Sequence, residues 1–378
     1  MQYRKFGQTG VEVSALGFGA MRFPTIEEEG KQVINQPEAI KMIRHAIDEG
    51  VNYVDTAYPY HDGESEYVVG KALKDGYREK TMLATKSPLW EINKAEDFDR
   101  ILNHQLEKLD VEYIDFYLMH ACDKNRWENI ILKFNLLERA EAAKKAGKIK
   151  YLGFSFHDNE DTFMKILNGY DKWDFCQIQM NYIDVENQAT LRGMEAAHEK
   201  GLGVIIMEPL LGGKLANLPE NVEKELDKSK PSVEWALDFL WDRKEVGVIL
   251  SGMSDMKQTT DNLLYADRSS IGMLSQEDKE MLAKAKVIYD TMALVPCTKC
   301  EYCMPCPFKL NIPKIFEAYN ATVAKGMKKA KEIYHSMETL ADGCAKCHKC
   351  EKVCPQAIKV SEVMETITGV FKEESADA

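Results

Sequence analysis

Cysteine is nearly missing from the first 296 of the 378 residues, where only Cys122 and Cys176 occur. The opening segment MQYRKFGQTG has no apolar core of the kind a secretory signal needs, so a disulfide scaffold is not expected. No run of about 18 apolar residues is present, which removes the expectation of a membrane-spanning helix. Positive charge is in deficit: 49 Lys and Arg stand against 61 Asp and Glu, a net charge of −12. A nucleic-acid binder normally shows the reverse balance. These absences lead us to expect a soluble, cytoplasmic protein with neither nucleic acid nor membrane as partner. Hydrophobic residues make up 45% of the chain, enough for one large core and a smaller module.

Short apolar runs recur through the first 270 residues: LGFGAM (16–21), VNYVDT (51–56), MLATKS (82–87), IDFYLMH (114–120), YLGFSF (151–156), FCQIQMN (175–181), GVIIMEP (203–209) and VGVILSG (246–252). Amphipathic helical patterns separate them, among them EAIKMIRHAIDEG, SEYVVGKALKDG and EDFDRILNHQLEKL. Apolar strands alternating with such helices imply a parallel sheet buried on both faces. Eight units fit an α/β fold of the closed (β/α)8 TIM-barrel kind. A doubly wound open sheet is the rival, weakened because no G-x-G-x-x-G follows the first strand. QYRKFGQTGVEV reads as a hairpin turning at Gln8-Thr9-Gly10 that would plug the barrel bottom.

Chemistry in such a barrel sits at the C-terminal strand ends. Polar residues stand there repeatedly: Asp55, Lys86, His120, Ser155, Gln177 with Asn181, Glu208 and Ser251. Taken singly, Asp55 could cap a helix, Lys86 could snorkel and His120 could be a hydrogen-bonded core histidine. Their recurrence on seven of the eight strands points instead to one shared site. A buried Lys and Asp need each other to stay charged. A Tyr beside that ammonium is expected to have a lowered pKa and to act as a general acid. Tyr60 is the candidate, five residues past Asp55, with Tyr58 as its local competitor.

The stretch DTAYPYHDGESEYVVGKAL resembles the signature of the aldo-keto reductases. ATK, LMHA, GFS, the Q-x-x-x-N of QIQMN and PLLGGKL resemble later blocks of that family in order, over roughly residues 1–265. The resemblance implies a nicotinamide-dependent reductase of a small carbonyl substrate. It makes Tyr60 the proton donor, Asp55 and Lys86 the groups that tune it, and His120 the group that orients the carbonyl. It assigns Ser155 and Gln177 to the nicotinamide carboxamide and the Pro209–Leu215 turn, with Leu210, Gly212, Gly213 and Lys214, to the pyrophosphate. Gly252 to Asn262 would meet the adenosine half. Three positions depart from the family pattern: Phe156 follows the serine, Met207 stands where a stacking Tyr is common, and Gln258 replaces a common Arg. With Asp255 nearby and only Lys257 basic, a 2′-phosphate would lack its usual partner, so NADH is plausible and NADP versus NAD stays open.

The last 82 residues contain eight cysteines, in CTKCEYCMPCP (297–307) and CAKCHKCEKVCP (344–355). Three thiols at C-x2-C-x2-C and a fourth before Pro match a [4Fe–4S] cubane rather than the separated pairs of a zinc site. Two runs imply two clusters. By likeness to two-cluster ferredoxins the ligands cross: Cys297, Cys300, Cys303 and Cys354 for one, Cys344, Cys347, Cys350 and Cys306 for the other. Cys306 comes two residues after Cys303 rather than three, an unusual gap. The intervening NIPKIFEAYNATVAKGMKKAKEIYHSME reads as helical, with Pro313 near its start and Gly326 as a break, so the module resembles the helical dicluster ferredoxins.

We therefore expect a barrel over 1–275, a connecting helix over 276–295, a mainly α-helical dicluster ferredoxin-like domain over 296–366 and a disordered acidic tail over 367–378. Nicotinamide moves two electrons and cubanes one, so a flavin in the barrel or a partner such as a soluble ferredoxin or flavodoxin would have to mediate any exchange; no flavin motif is visible. The alternative is an electron-transfer or regulatory subunit that binds nucleotide without turning over carbonyls.

Overall fold

In the computed structural model, residues 1–292 and 294–373 are described. A short hairpin comes first, β1 (Tyr3–Lys5) and β2 (Glu12–Ser14), paired antiparallel. The barrel strands are β3 (Leu16–Gly19), β6 (Tyr53–Asp55), β7 (Met82–Ser87), β8 (Ile114–Cys122), β9 (Ile149–Phe156), β10 (Phe175–Gln179), β11 (Gly203–Met207) and β12 (Val248–Ser251). They close in the order β3-β6-β7-β8-β9-β10-β11-β12, every pair parallel. Each is one of the eight apolar runs, buried because helices cover the outside while side chains fill the inside. Most end earlier than their apolar pattern, because the residues beyond are committed to the loops of the mouth.

The barrel bottom is closed by Phe6, which follows β1. It is fully buried among Val13, Tyr53, Phe116, Phe175, Ile205 and Val248. Its ring meets Phe116 edge-on at 5.3 Å. Gly203 and Gly247 make room for it: a Cβ at either would lie 2.5 or 2.7 Å from the ring. The hairpin is thus held by a large apolar burial rather than by its six-residue ladder.

A second hairpin, β4 (Thr25–Glu28) with β5 (Lys31–Ile34), escapes the sequence reading. All of β4 is exposed, so it lacks the alternation that marks a half-buried strand. Its turn is local chemistry: Glu29 and Gly30 both take positive φ, as a type I′ turn requires.

The chain divides into two compact units, Met1–Pro209 with Glu234–Ser275, and Leu210–Val233 with the residues from Gln276 on. The division differs from the linear one expected, since Leu210–Val233 joins the C-terminal unit. So does the helix Gln276–Met292, whose Lys284 pairs with Glu225. The C-terminal unit has helices at Ile312–Ala324, Met327–His335 and Val360–Glu373, and no strand among its described residues. Asn311 caps the first by accepting from Lys314 N, Pro313 occupies its first turn, and Gly326 at φ 80 separates it from the second. Ile315, Phe316, Ala330, Met364 and Ile367 form the core, and Tyr334 stacks on Phe371 at 4.0 Å. The expected disordered tail is corrected here: residues 367–373 continue the last helix, because Ile367 and Phe371 complete its buried stripe. Residues 374–378 lie outside the described residues. No helix of the described chain is long and apolar enough to cross a membrane.

Candidate active site and cysteine-rich segments

Four elements of the barrel bring Asp55, Tyr60, Lys86 and His120 together. Lys86, fully buried on β7, donates to Asp55 Oδ1 at 2.7 Å, to Thr56 O at 2.8 Å and to Tyr60 OH at 3.3 Å. Tyr60 opens a short 3₁₀ turn after β6, and its ring meets that of His120 edge-on at 6.4 Å. The competitor Tyr58 instead lies under the Lys108 ammonium, 5.2 Å from its ring centre.

His120 is aimed by a break in its own strand. The β8–β9 register shifts between Met119 and Cys122, and Ala121 takes a φ of 53°. Such a bulge re-aims a side chain. Ser155 Oγ holds it by accepting from Ala121 N at 2.7 Å, and Arg126 donates to Ala121 O at 2.9 Å. Burial, then the charge of Lys86, lowers the His120 pKa well below its ordinary value, so the imidazole is neutral. Its Nδ1 is buried without a hydrogen-bond partner.

The expected lowering of the Tyr60 pKa is corrected. Burial, and after it the charge of Asp55, raise the phenol well above its ordinary value; Arg22 acts against this and Glu208 with it. Desolvation of the phenolate outweighs the opposing charge of Arg22. Burial also raises the Asp55 carboxyl, against the opposing pull of Lys86.

Behind Lys86 lies a buried polar layer. Gln105 donates to Lys86 O at 3.0 Å and to Glu66 Oε1 at 2.6 Å; Thr85 donates to the same oxygen at 2.7 Å, and Lys108 pairs with Glu66 at 2.9 Å. Ser65 donates to Ala20 O at 3.0 Å. The Ser65-Glu66 pair of the quoted signature is therefore structural, locking the helix after Tyr60 to β7. Trp90 was missed by the sequence reading; its ring packs on His120 at 5.0 Å. Arg22 was missed too: its side chain crowds Gly252, where a Cβ would lie 2.9 Å from Arg22 Cγ. Nothing in their sequence pattern distinguishes either from an ordinary loop residue.

The candidate cofactor residues of the barrel unit are placed as follows. Gln177 donates to Met207 Sδ at 3.4 Å, and its Oε1 is buried without a partner, an acceptor suited to an amide N–H₂. Asn262 donates to Ser251 Oγ at 3.0 Å. Gln258 is turned onto Asp255, donating to Oδ2 at 2.8 Å, and Lys257 pairs with Asp261. Pro209 is the last residue of the barrel unit before the chain passes to the other.

In the C-terminal unit, Leu210 leads into a 3₁₀ turn in which Gly212 and Gly213 have φ of 65° and 89°. A Cβ on Gly213 would meet nothing within 4 Å. On Gly212 it would lie 2.0 Å from Thr298 O, between the first two cysteines. Gly212 is thus required by backbone packing in its own unit. The Lys214 charge acts on Cys297.

All ten cysteines are free thiols. Cys122 and Cys176 are buried, and burial raises both. Cys297, Cys300 and Cys354 are close enough to Cys303 for their charges to act on its thiol, which burial first pushes up to about 12. Cys344 acts likewise on Cys350, pushed up to about 11 by burial. Bare thiolates would be costly here, a cost that bound iron would compensate. The two runs share a backbone pattern. The residues flanking the second cysteine have positive φ in both, Lys299 and Glu301 in one and Lys346 and His348 in the other. So do Lys309 and Ala357, each three residues past the fourth cysteine. Alternating left-handed residues turn successive N–H groups inward as an anion-binding nest, which suits a cluster's sulfides. Thr298 Oγ1 is buried without a partner beside Cys297. No group of three or more His, Cys, Asp or Glu able to hold a metal ion is found among the described residues.

The aldo/keto reductase family model matches residues 15–285 and a 4Fe-4S dicluster domain model matches residues 296–358. Aldo-keto reductase YhdN of Bacillus subtilis is 33% identical over 180 residues, 44% of this chain and 51% of its own length. The chain thus spans about half of that relative, and 63% of a probable aldo-keto reductase of Glycine max at 30% identity. L-galactose dehydrogenase of Arabidopsis thaliana is 25% identical over 77% of this chain and 95% of its own. Among solved structures, an aldo-keto reductase of Bacillus halodurans in its holo form matches with a TM-score of 0.64 at 24% identity, covering 75% of this chain and 96% of that one. One from Klebsiella pneumoniae, in complex with NADP and acetate, matches at 0.60 and 22% identity, over 76% and 95%.

Proposed function

Because this chain belongs to the aldo/keto reductase family and carries a 4Fe-4S dicluster domain, we propose that it reduces a small carbonyl compound with a nicotinamide cofactor, Tyr60 giving the proton. The observation that carries this reading is the buried Lys86 ammonium, which contacts Asp55 Oδ1 and Tyr60 OH at 2.7 and 3.3 Å. Ser155 and the orphaned Gln177 Oε1 suit the carboxamide. Bound nicotinamide would supply the hydride to the carbonyl carbon. Neutral His120 donates a hydrogen bond to the carbonyl oxygen and fixes its direction. Tyr60, held protonated at neutral pH by its raised pKa, passes its proton to that oxygen as negative charge develops. An alkoxide is the stronger base, so the transfer is favourable even from a raised phenol. Lys86 then faces the phenolate, and its contact with Asp55 and Thr56 O keeps it in place. The product is an alcohol.

Lys257 is paired with Asp261, and Gln258 with Asp255, so the adenosine end offers two carboxylates and no uncommitted cation from this segment. We assign NADH as the preferred donor on that basis. The eight thiols would hold two [4Fe–4S] clusters in the crossed arrangement, Cys354 completing the set of Cys297, Cys300 and Cys303. The grouping of Cys297, Cys300 and Cys354 around Cys303 supports it. The clusters serve one-electron exchange with a redox partner.

Anaerobically purified, iron-loaded protein is expected to oxidise NADH faster than NADPH in the presence of aldehydes or diketones. Tyr60→Phe is expected to lower kcat by roughly 10²-fold or more while nucleotide binding persists. Nucleotide binding without turnover across a broad carbonyl panel would favour the non-catalytic subunit instead.

A further inference from the structure

The eight clustered cysteines differ in access. Cys347 is exposed, whereas the other seven are half-buried. Its neighbours Ala345, Lys346, His348 and Lys349 are exposed as well. Residues 344–359 contain Lys346, Lys349, Lys352 and Lys359 against the single acid Glu351, in a chain of net charge −12. That acid is engaged: Glu351 accepts from Ser361 N and Oγ at 2.8 and 2.6 Å and lies 3.0 Å from His348 Nδ1. Glu365 of the last helix holds Lys346, and Glu362 is the other acid near that helix's start. Lys349, Lys352 and Lys359 make no ion pair among the described residues. Val353, 41% exposed, lies between Lys352 and the ligand Cys354. The other basic run, Lys325–Lys331, contains no cysteine and lies largely on the helix Met327–His335, where Lys329 already pairs with Glu332.

We propose that the face around Cys347, with Lys349, Lys352 and Lys359 as a basic rim and Val353 as an apolar contact, docks a small acidic one-electron carrier protein and admits electrons to the clusters. This rests on the two-cluster reading above. Electron tunnelling decays exponentially with distance, so a carrier must approach the cluster whose ligand reaches the surface. In the transfer the reduced carrier would lose one electron and the cluster that Cys344, Cys347 and Cys350 would hold would gain it. No bond forms or breaks and no proton moves. The acidic remainder of the chain is screened beyond about 8–10 Å at physiological salt. The local rim therefore sets the orientation of encounter.

The test is anaerobic stopped-flow mixing of the iron-loaded full chain with dithionite-reduced plant-type [2Fe–2S] ferredoxin, an acidic carrier. Combined Lys349→Glu, Lys352→Glu and Lys359→Glu should slow second-order cluster reduction roughly tenfold or more at low salt, the difference closing as salt rises. Lys325→Glu with Lys328→Glu should leave the rate unchanged, and dithionite alone should reduce all three proteins equally. A rate indifferent to the triple reversal, or lowered as much by the Lys325 and Lys328 pair, overturns the docking face while the clusters stand. Iron analysis before mixing separates that result from failure of the cluster reading, since a chain without iron overturns both.

Discussion

Tyr60 and His120 face each other with opposite shifts from one cause. Burial disfavours charge on both, raising the phenol and lowering the imidazole. Each is thereby kept neutral, the state in which one can donate a proton and the other a hydrogen bond. His157, which follows Phe156 at the end of β9, is lowered to about 4 from 6.5, chiefly by burial. Between those two values the unfolded chain binds the proton that the folded chain refuses, so stability increases with pH across that window. His120 adds to the trend in the same direction. The melting temperature is expected to fall as pH drops from 7 to 4.5, and His157→Gln should flatten part of that fall. A scan of thermal unfolding against pH measures it; a pH-independent melting temperature in the parent would contradict the buried neutral histidines.

At the scale of elements, local patterns reported some features and not others. β7 and β8 announce themselves because most of their residues are apolar or β-branched. The bulge that aims His120 does not, since alanine gives no signal for the left-handed φ that Ala121 adopts and its conformation is held by Ser155 and Arg126 from elsewhere. The glycines of PLLGGKL illustrate the same divide. Sequence suggested close approach of a ligand, and the fold supplies Thr298 O as the atom that approaches Gly212. Gly212→Ala must therefore push the peptide between Cys297 and Cys300 aside. We expect it to lower iron retention and to leave the barrel folded, whereas Gly213→Ala, strained only by its φ, should retain iron better. Iron per chain after anaerobic reconstitution, with circular dichroism as the fold control, distinguishes them.

For the whole molecule, the crossed ligand set predicts how the clusters fail. Cys354 lies in the second run yet acts on Cys303 of the first. Cys354→Ser should reduce iron from about eight to about four per chain and remove the cluster of the first run, with that of Cys344, Cys347 and Cys350 retained. Loss of the second-run signal in electron paramagnetic resonance would contradict the crossing.

What the sequence determined by itself was everything carried by covalent spacing or by periodic burial. Eight apolar runs and their helices imply the barrel, the paired cysteine runs imply a 4Fe-4S domain, and the resemblance carried by DTAYPY, ATK and LMHA implies the aldo/keto reductase family. Only the tertiary structure decided the rest, because it depends on which atoms meet across long separations. Desolvation and the Asp55 charge outweigh the opposing Arg22 charge at Tyr60, a balance no spacing encodes. Phe6 becomes the barrel floor because Gly203 and Gly247 clear its ring. Leu210–Val233 joins the cysteine-rich unit although its first six residues belong to the PLLGGKL motif read as the barrel's own. Cys347 alone of the eight clustered thiols comes to an exposed surface.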